Sequence, residues 1–249
     1  MELPAGKAGL RIAMWSGPRN ISTAMMRSFG NRPDTVVTDE PLYAPYLGIT
    51  GVDHPGRDAV LAAHETDWRA VVARLGGPIP DGRSIWYQKH MAHHLLPEMD
   101  RGWIDSMVNC FLIRDPARVI ASYAKVIHEP RLEDLGFVQQ ADLFALVRER
   151  TGGVPPVIDA RDVLEDPPRV LRALCERIGV AFDESMLGWA PGPRDSDGAW
   201  APFWYAGVEE STGFGAYLPA GTPVPDSLRP ILERCLECYR LLWEHRITG

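Results

Sequence analysis

Short apolar runs alternate along this chain with segments whose apolar residues return every three to four positions. Ile12–Trp15 is apolar throughout and runs into Ser16-Gly17-Pro18. That pattern predicts a buried strand ending in a tight turn. Ile21, Met25 and Phe29 then share a helical face, Asn20 is placed to cap it, and Gly30 suits the stop. Thr35–Thr38 is β-branched throughout and predicts a second strand, ending in Asp39-Glu40-Pro41. Further strands are expected at Ser84–Tyr87, Val108–Ile113 and Val157–Ile158, the last ending in Asp159. Helical stripes fall between them over Ala59–Leu75, Pro116–Ile127, Phe137–Arg150 and Pro167–Ile178, and a terminal helix over Leu228–Trp243.

Strands and helices that alternate in this way predict an α/β fold of three layers, αβα, around a central parallel sheet. Tyr43–Leu47 and the segment to Gly56 read as a loop that could wall a substrate pocket. Pro191–Gly221, rich in Gly, Pro and aromatics, is too long for a passive connector and reads as a flap. The chain is expected to be one domain over residues 1–249, with a core at about 10–180 and a C-terminal flap and helix at about 190–249.

Composition narrows the function. Hydrophobic residues are 45% of 249, enough for a sizeable core, and the formal net charge is −7. An acidic balance argues against general nucleic-acid binding, which needs a basic surface. No apolar run reaches the length of a membrane span, and Met1–Arg11 has no long apolar core. Neither a membrane partner nor a secretory leader is expected. Cys110, Cys175, Cys235 and Cys238 lie in apolar surroundings, and no second pair accompanies the C-x-x-C spacing of the last two. Buried reduced thiols, no metal and a cytoplasmic location follow.

Candidate chemistry begins in the turn after the first strand. The first N–H groups of a helix lack internal partners, and the dipole is positive there, so that end attracts phosphate. Arg19 would add a cation, and Ser22 and Thr23 two hydroxyl donors. The loop is not a Walker A sequence, since no GK[ST] occurs in the chain. Taken alone it is equally an ordinary strand-to-helix turn. The second stretch is Val108–Ile113 running into Arg114-Asp115-Pro116, with Asp115 as cap and Pro116 at the first helical position. Arg114 at the strand end and Ser122 on the helix could flank one anion; a buried salt bridge and an idle hydroxyl are the alternative. Gln88–Pro97 holds His90, His93 and His94. The i, i+4 pair His90 and His94 could hold a metal, but no H-E-x-x-H pattern supports it. A strand exit suits a general base. Asp39 and Glu40 lie where ligands bind in open α/β sheets, with a solvated turn as the competing reading.

Three stretches together resemble the sulfotransferases that use 3′-phosphoadenosine-5′-phosphosulfate (PAPS), on a P-loop NTPase-like fold. SGPRNIST resembles their 5′-phosphosulfate loop, FLIRDPARVIASY their 3′-phosphate motif, and HMAHHLLPE the stretch after the third strand. The set nearest to this chain is the WSGPRN-type bacterial sulfotransferase-like proteins. The resemblance implies transfer of a sulfuryl group from PAPS to a hydroxyl or amine of a small-molecule acceptor, without a metal. It implies donor binding by Arg19, Asn20, Ser22, Thr23, Arg114 and Ser122, with Arg194 and Gly198 of the flap as looser matches. Arg19 would stabilise the leaving bisphosphate, and His90 would be the base, with Glu40 second. Two departures stand out. Arg19 replaces the usual Lys, and Ile21 replaces a Gly, which limits φ in the loop. The rival readings are a P-loop kinase-like phosphotransferase, opposed by the missing GK[ST], and a non-catalytic nucleotide-binding relative, favoured by Ile21.

Overall fold

The computed structural model describes residues 9–127, 129–219 and 223–248. Residues 1–8 and 220–222, which hold most of the leader reading and the end of the flap, lie outside that description. Strands β1 (Leu10–Ser16), β2 (Thr35–Asp39), β3 (Ile85–Met91), β4 (Val108–Ile113) and β5 (Val157–Asp159) form one all-parallel sheet in the order β2-β3-β1-β4-β5. β1 is central: Ile12 pairs with Tyr87 on one side and with Val108 on the other. The chain leaves β1 toward one edge and returns to build the other, so the strand order reverses at β1. Crevices at the C-terminal ends of strands form at such a switch point.

The helices are α1 (Ser22–Gly30), α2 (Tyr43–Thr50), α3 (Arg57–Ala63), α4 (Trp68–Leu75), α5 (Pro116–Tyr123), α6 (Phe137–Thr151), α7 (Ala160–Glu165), α8 (Pro167–Ile178), α9 (Ala201–Trp204), α10 (Ala206–Glu209) and α11 (Arg229–Trp243). The pleat of β1 sorts its residues between two cores, because successive side chains point to opposite faces. Ile12 and Met14 pack with Met25 and Phe29 of α1 and Leu171 and Leu174 of α8. Ala13 and Trp15 pack with Leu75 of α4, Phe144 of α6 and Leu242 of α11. This is the three-layer αβα arrangement with a parallel sheet. Among the described residues, no helix is long and apolar enough to cross a membrane.

Four local expectations change. The stripe over Ala59–Leu75 is two helices, because the chain extends at His64 and restarts at Asp67, whose side chain caps Arg69 N. Tyr43–Leu47 is not a loop but most of α2, which accommodates Pro45 in its first turn. α5 stops at Tyr123, and Val126 and Ile127 turn back onto the Tyr123 carbonyl. β3 runs four residues beyond Tyr87, to Met91, and this extension decides the chemistry of the site.

Candidate functional site

A cavity of about 430 Å³ opens at the C-terminal ends of β1, β3 and β4. Its floor is the turn after β1. Gly17 is required there: a Cβ would lie 2.6 Å from the Leu135 carbonyl oxygen. Arg19 sits in the left-handed region, at φ 53°. Such strain in a non-glycine residue tends to collect at functional sites. Ile21 has an ordinary φ of −86°, so this loop does not need the family's usual glycine at that position. Asn20 does not cap α1 as expected. Its Oδ1 accepts from its neighbour Ile21 N at 2.8 Å, and its Nδ2 donates to the Leu112 carbonyl at 3.0 Å, tying the turn to β4. The helix therefore starts with no side-chain cap, and its first residues, Ser22, Thr23 and Ala24, line the cavity.

Arg19, Arg114 and Ser122 converge on this end. Arg19 Nε donates to Ser122 Oγ at 3.0 Å, and an Arg114 Nη donates to the Arg19 carbonyl at 2.7 Å. Among the described residues neither arginine forms an ion pair, unlike Arg27 and Arg32 nearby. Burial holds both guanidinium pKa values below the ordinary value, and for Arg114 the charges of Arg118 and Arg19 push the same way. Two half-buried, unneutralised cations beside a free helix N-terminus make a well for an anion. Arg19, Asn20, Ser22, Thr23, Arg114 and Ser122 all line the one cavity.

The opposite wall is carboxylate, ammonium and imidazole. Asp39 ends β2 and Glu40 follows it at φ 34°, a second strained residue. Lys89, fully buried on β3, donates to Asp39 Oδ1 at 2.9 Å, to Glu40 Oε1 at 2.7 Å and to Tyr205 Oη at 2.5 Å. Glu40 Oε2 lies 4.0 Å from His94 Nδ1. Burial raises the Glu40 pKa from the carboxylate range, Lys89 opposes this, and Asp39 adds to it. His94 stacks flat on Tyr43, with centroids 4.6 Å apart, and His93 lies beside it.

His90 is elsewhere. Because β3 continues through it, the two-residue alternation sends Lys89 to the cavity and His90 to the far face. There His90 stacks on Trp15 at 4.5 Å, approaches Trp103 at 5.5 Å and bonds Gln88 Oε1 at 3.2 Å. It does not line the cavity. Burial pushes its pKa down to about 3, and that of His93 likewise to about 3. Both are neutral in the folded chain, whereas the unfolded chain takes up their protons below about 6.5. Stability is therefore complete above about 6.5 and falls as pH drops toward 3. We expect the urea midpoint to fall through that window, with a shallower fall in His90→Gln.

Arg194 and Gly198 also miss the cavity. Their turn is fastened to α1 by Asp197, which pairs both oxygens with Arg27 at 2.6 Å. Arg194 points back to the Ala190 carbonyl. Gly198 lies against the Trp200 indole, which any Cβ would strike. The flap residues that do reach the cavity come later, among them Trp204, Tyr205, Val208 and Phe214. Trp204 lies 6.0 Å from the Arg19 guanidinium.

Residues 10–242 match the sulfotransferase domain family. The chain belongs to that family. It is 38% identical over 236 residues to the Arabidopsis thaliana branched-chain-amino-acid aminotransferase-like protein 1, covering 94% of this chain and 42% of that protein. Its counterpart, protein 2 of the same plant, is 35% identical over 234 residues, with 94% and 41% covered. The chain thus spans about two-fifths of the length of these curated relatives. Among solved structures it resembles the sulfotransferase domain from the Synechococcus PCC 7002 olefin synthase, with TM-score 0.53, 19% identity and coverage of 94% and 97%. It also resembles a sulfotransferase from Alicyclobacillus acidocaldarius, with TM-score 0.50, 13% identity and coverage of 97% and 98%. At such identities these two likenesses speak to the fold.

In this sulfotransferase domain the group that sequence reasoning passed over is Lys89. The signal was present: Tyr87, Lys89 and Met91 fall on one face of an extended β3. Tyr205 carried no comparable signal, since it reaches Lys89 only through the folded flap.

Proposed function

We propose that this domain transfers the sulfuryl group of PAPS to a hydroxyl or amine of a small-molecule acceptor, with Glu40 rather than His90 as the base. The observation that carries this reading is the convergence of Arg19, Arg114, Ser122 and the uncapped N-terminus of α1 on one cavity. Arg19, Ser22 and Thr23 would hold the 5′ end of the donor, and Arg114 and Ser122 its 3′-phosphate. The core of residues about 10–180 would carry the donor site and the later flap would close it.

In the transfer the acceptor oxygen or nitrogen forms a bond to sulfur as the sulfur–phosphate oxygen bond breaks. The bond's electron pair stays on the leaving 3′,5′-bisphosphate, where Arg19 and the α1 N–H groups offset the charge. The acceptor's proton passes to Glu40, which lines the cavity and which burial makes more basic than an ordinary carboxylate. Positioning and charge stabilisation supply most of the rate, as in phosphoryl transfer.

The test is calorimetry with adenosine 3′,5′-bisphosphate, adenosine 5′-monophosphate and ATP. The bisphosphate should bind tightest, and Arg114→Ala should weaken it by about 10- to 100-fold, the worth of a charge-assisted hydrogen bond. Equal affinity for the bisphosphate and the monophosphate would remove the 3′-phosphate assignment.

A further inference from the structure

The flap reaches the acceptor wall chiefly through Tyr205, and the hydrogen-bonding capacity of Lys89 there is filled. An ammonium has three donors, and those of Lys89 go to Asp39, Glu40 and Tyr205. None remains for a substrate. The Tyr205 hydroxyl donates to Asp39 Oδ2 at 2.6 Å and accepts from Trp200 Nε1 at 3.0 Å as well as from Lys89. Gly198 N reaches the same Asp39 oxygen at 3.4 Å. Asp39 thus answers three donors, two of them from the flap. Glu40 answers only Lys89 through Oε1, and its Oε2 is left toward the cavity and His94. Two adjacent carboxylates sharing one cation differ in how firmly each is bound, and such asymmetry assigns proton-transfer roles.

We propose that Asp39 and Tyr205 are positioning residues: the seated flap orients Lys89 between the two carboxylates, so that Glu40 and not Asp39 exchanges the acceptor's proton. Unseating the flap would admit water to Glu40 and free Lys89 from Tyr205. Both changes ease ionisation of Glu40. The base is therefore tuned for proton uptake only when the flap covers the site. This rests on the assignment of Glu40 as base made above.

The experiment reads Glu40 itself, without donor or acceptor. Protein labelled with 13C at the glutamate carboxyls is titrated by NMR, and the Glu40 signal is the one lost in Glu40→Gln. The groups facing Glu40 are Lys89 and Asp39 from the sheet, Tyr205 from the flap, His94 from the turn after β3 and Tyr43 from α2. Burial is the largest cause of its raised pKa, and the Tyr205 hydroxyl acts weakly the other way. In Tyr205→Phe the Glu40 midpoint should fall by on the order of one unit. Amide exchange across residues 198–209 should speed in the same variant. Asp39→Asn, which removes a neighbouring negative charge and leaves Lys89 to Glu40, should move the midpoint the same way. Faster exchange with an unmoved Glu40 midpoint would overturn the proposal, because the flap would then be loosened without effect on the base. Should Tyr205→Phe fail to fold, Trp200→Phe withdraws one donor from the same oxygen, and an unmoved midpoint there overturns it equally. The readout needs no transfer activity, so it can fail while the sulfuryl-transfer reading stands. Loss of bisphosphate binding would overturn that reading and leave this measurement intact.

Discussion

In single-turnover assays, Glu40→Gln is expected to slow sulfuryl transfer by on the order of 10²–10⁴, the usual worth of a general base. The change keeps the shape of the side chain and removes its capacity to hold a proton. Adenosine 3′,5′-bisphosphate should bind to the variant nearly as well as to the parent, because the arginine end of the cavity is untouched. The His90→Gln protein, by contrast, should turn over at close to the parent rate, since its ring lies against Trp15 on the other face of the sheet. A collapse in His90→Gln with an active Glu40→Gln would return the role to the histidine.

The second large effect is on stability. Lys89→Met would leave Asp39 and Glu40 side by side without their shared cation, at a place where the Lys89 and Asp39 side chains are each only 1% exposed. Removing one partner of a buried ion pair typically costs about 3–5 kcal/mol. In a chain of this size that is roughly a 6–20 °C fall in Tm. The deficit should shrink as pH falls, because protonating the stranded carboxylates removes the buried charge that causes it. Differential scanning calorimetry at neutral and mildly acid pH reads both statements. A neutral-pH Tm within 2 °C or so of the parent would mean the cluster is solvated and its charges are not buried.

Much of the framework was legible because local pattern and tertiary burial agree. The apolar run at Ile12 and the helical stripe of Met25 and Phe29 end up in one core. Val108–Ile113 is a strand with the expected bounds, and Asp115 caps α5 as expected, accepting from Ala117 N. The same agreement let the sequence bring Arg19 and Arg114 to one end of the cavity, since both stand where a strand hands over to a helix. The carboxylate and lysine end was not readable, for a specific reason. Gln88, Lys89 and His90 are polar, and a polar run after an apolar one reads as a strand exit. In the fold they are the last residues but one of β3, buried by partners far away in sequence: Leu75, Asp39 and Trp15. Alternation, not proximity to the turn, decides which of them meets the cavity. The flap misled in a similar way. Arg194 and Gly198 match a motif loosely, but the Arg27–Asp197 pair fastens that stretch beside α1, and the flap residues that line the cavity begin at Trp204.

That fastening has a consequence for how the molecule responds to its medium. The Arg27 and Asp197 side chains are 3% and 4% exposed, so dissolved ions scarcely screen their attraction. Arg19 and Arg114 face a cavity open to solvent, and their pull on an approaching polyanion weakens once the Debye length shrinks to about 10 Å or less, near 0.1 M ionic strength. Salt therefore acts on capture and leaves the root of the flap in place. A cell that concentrates electrolyte would slow the first encounter with any polyanion, while the stretch around Asp197 stays fixed to α1.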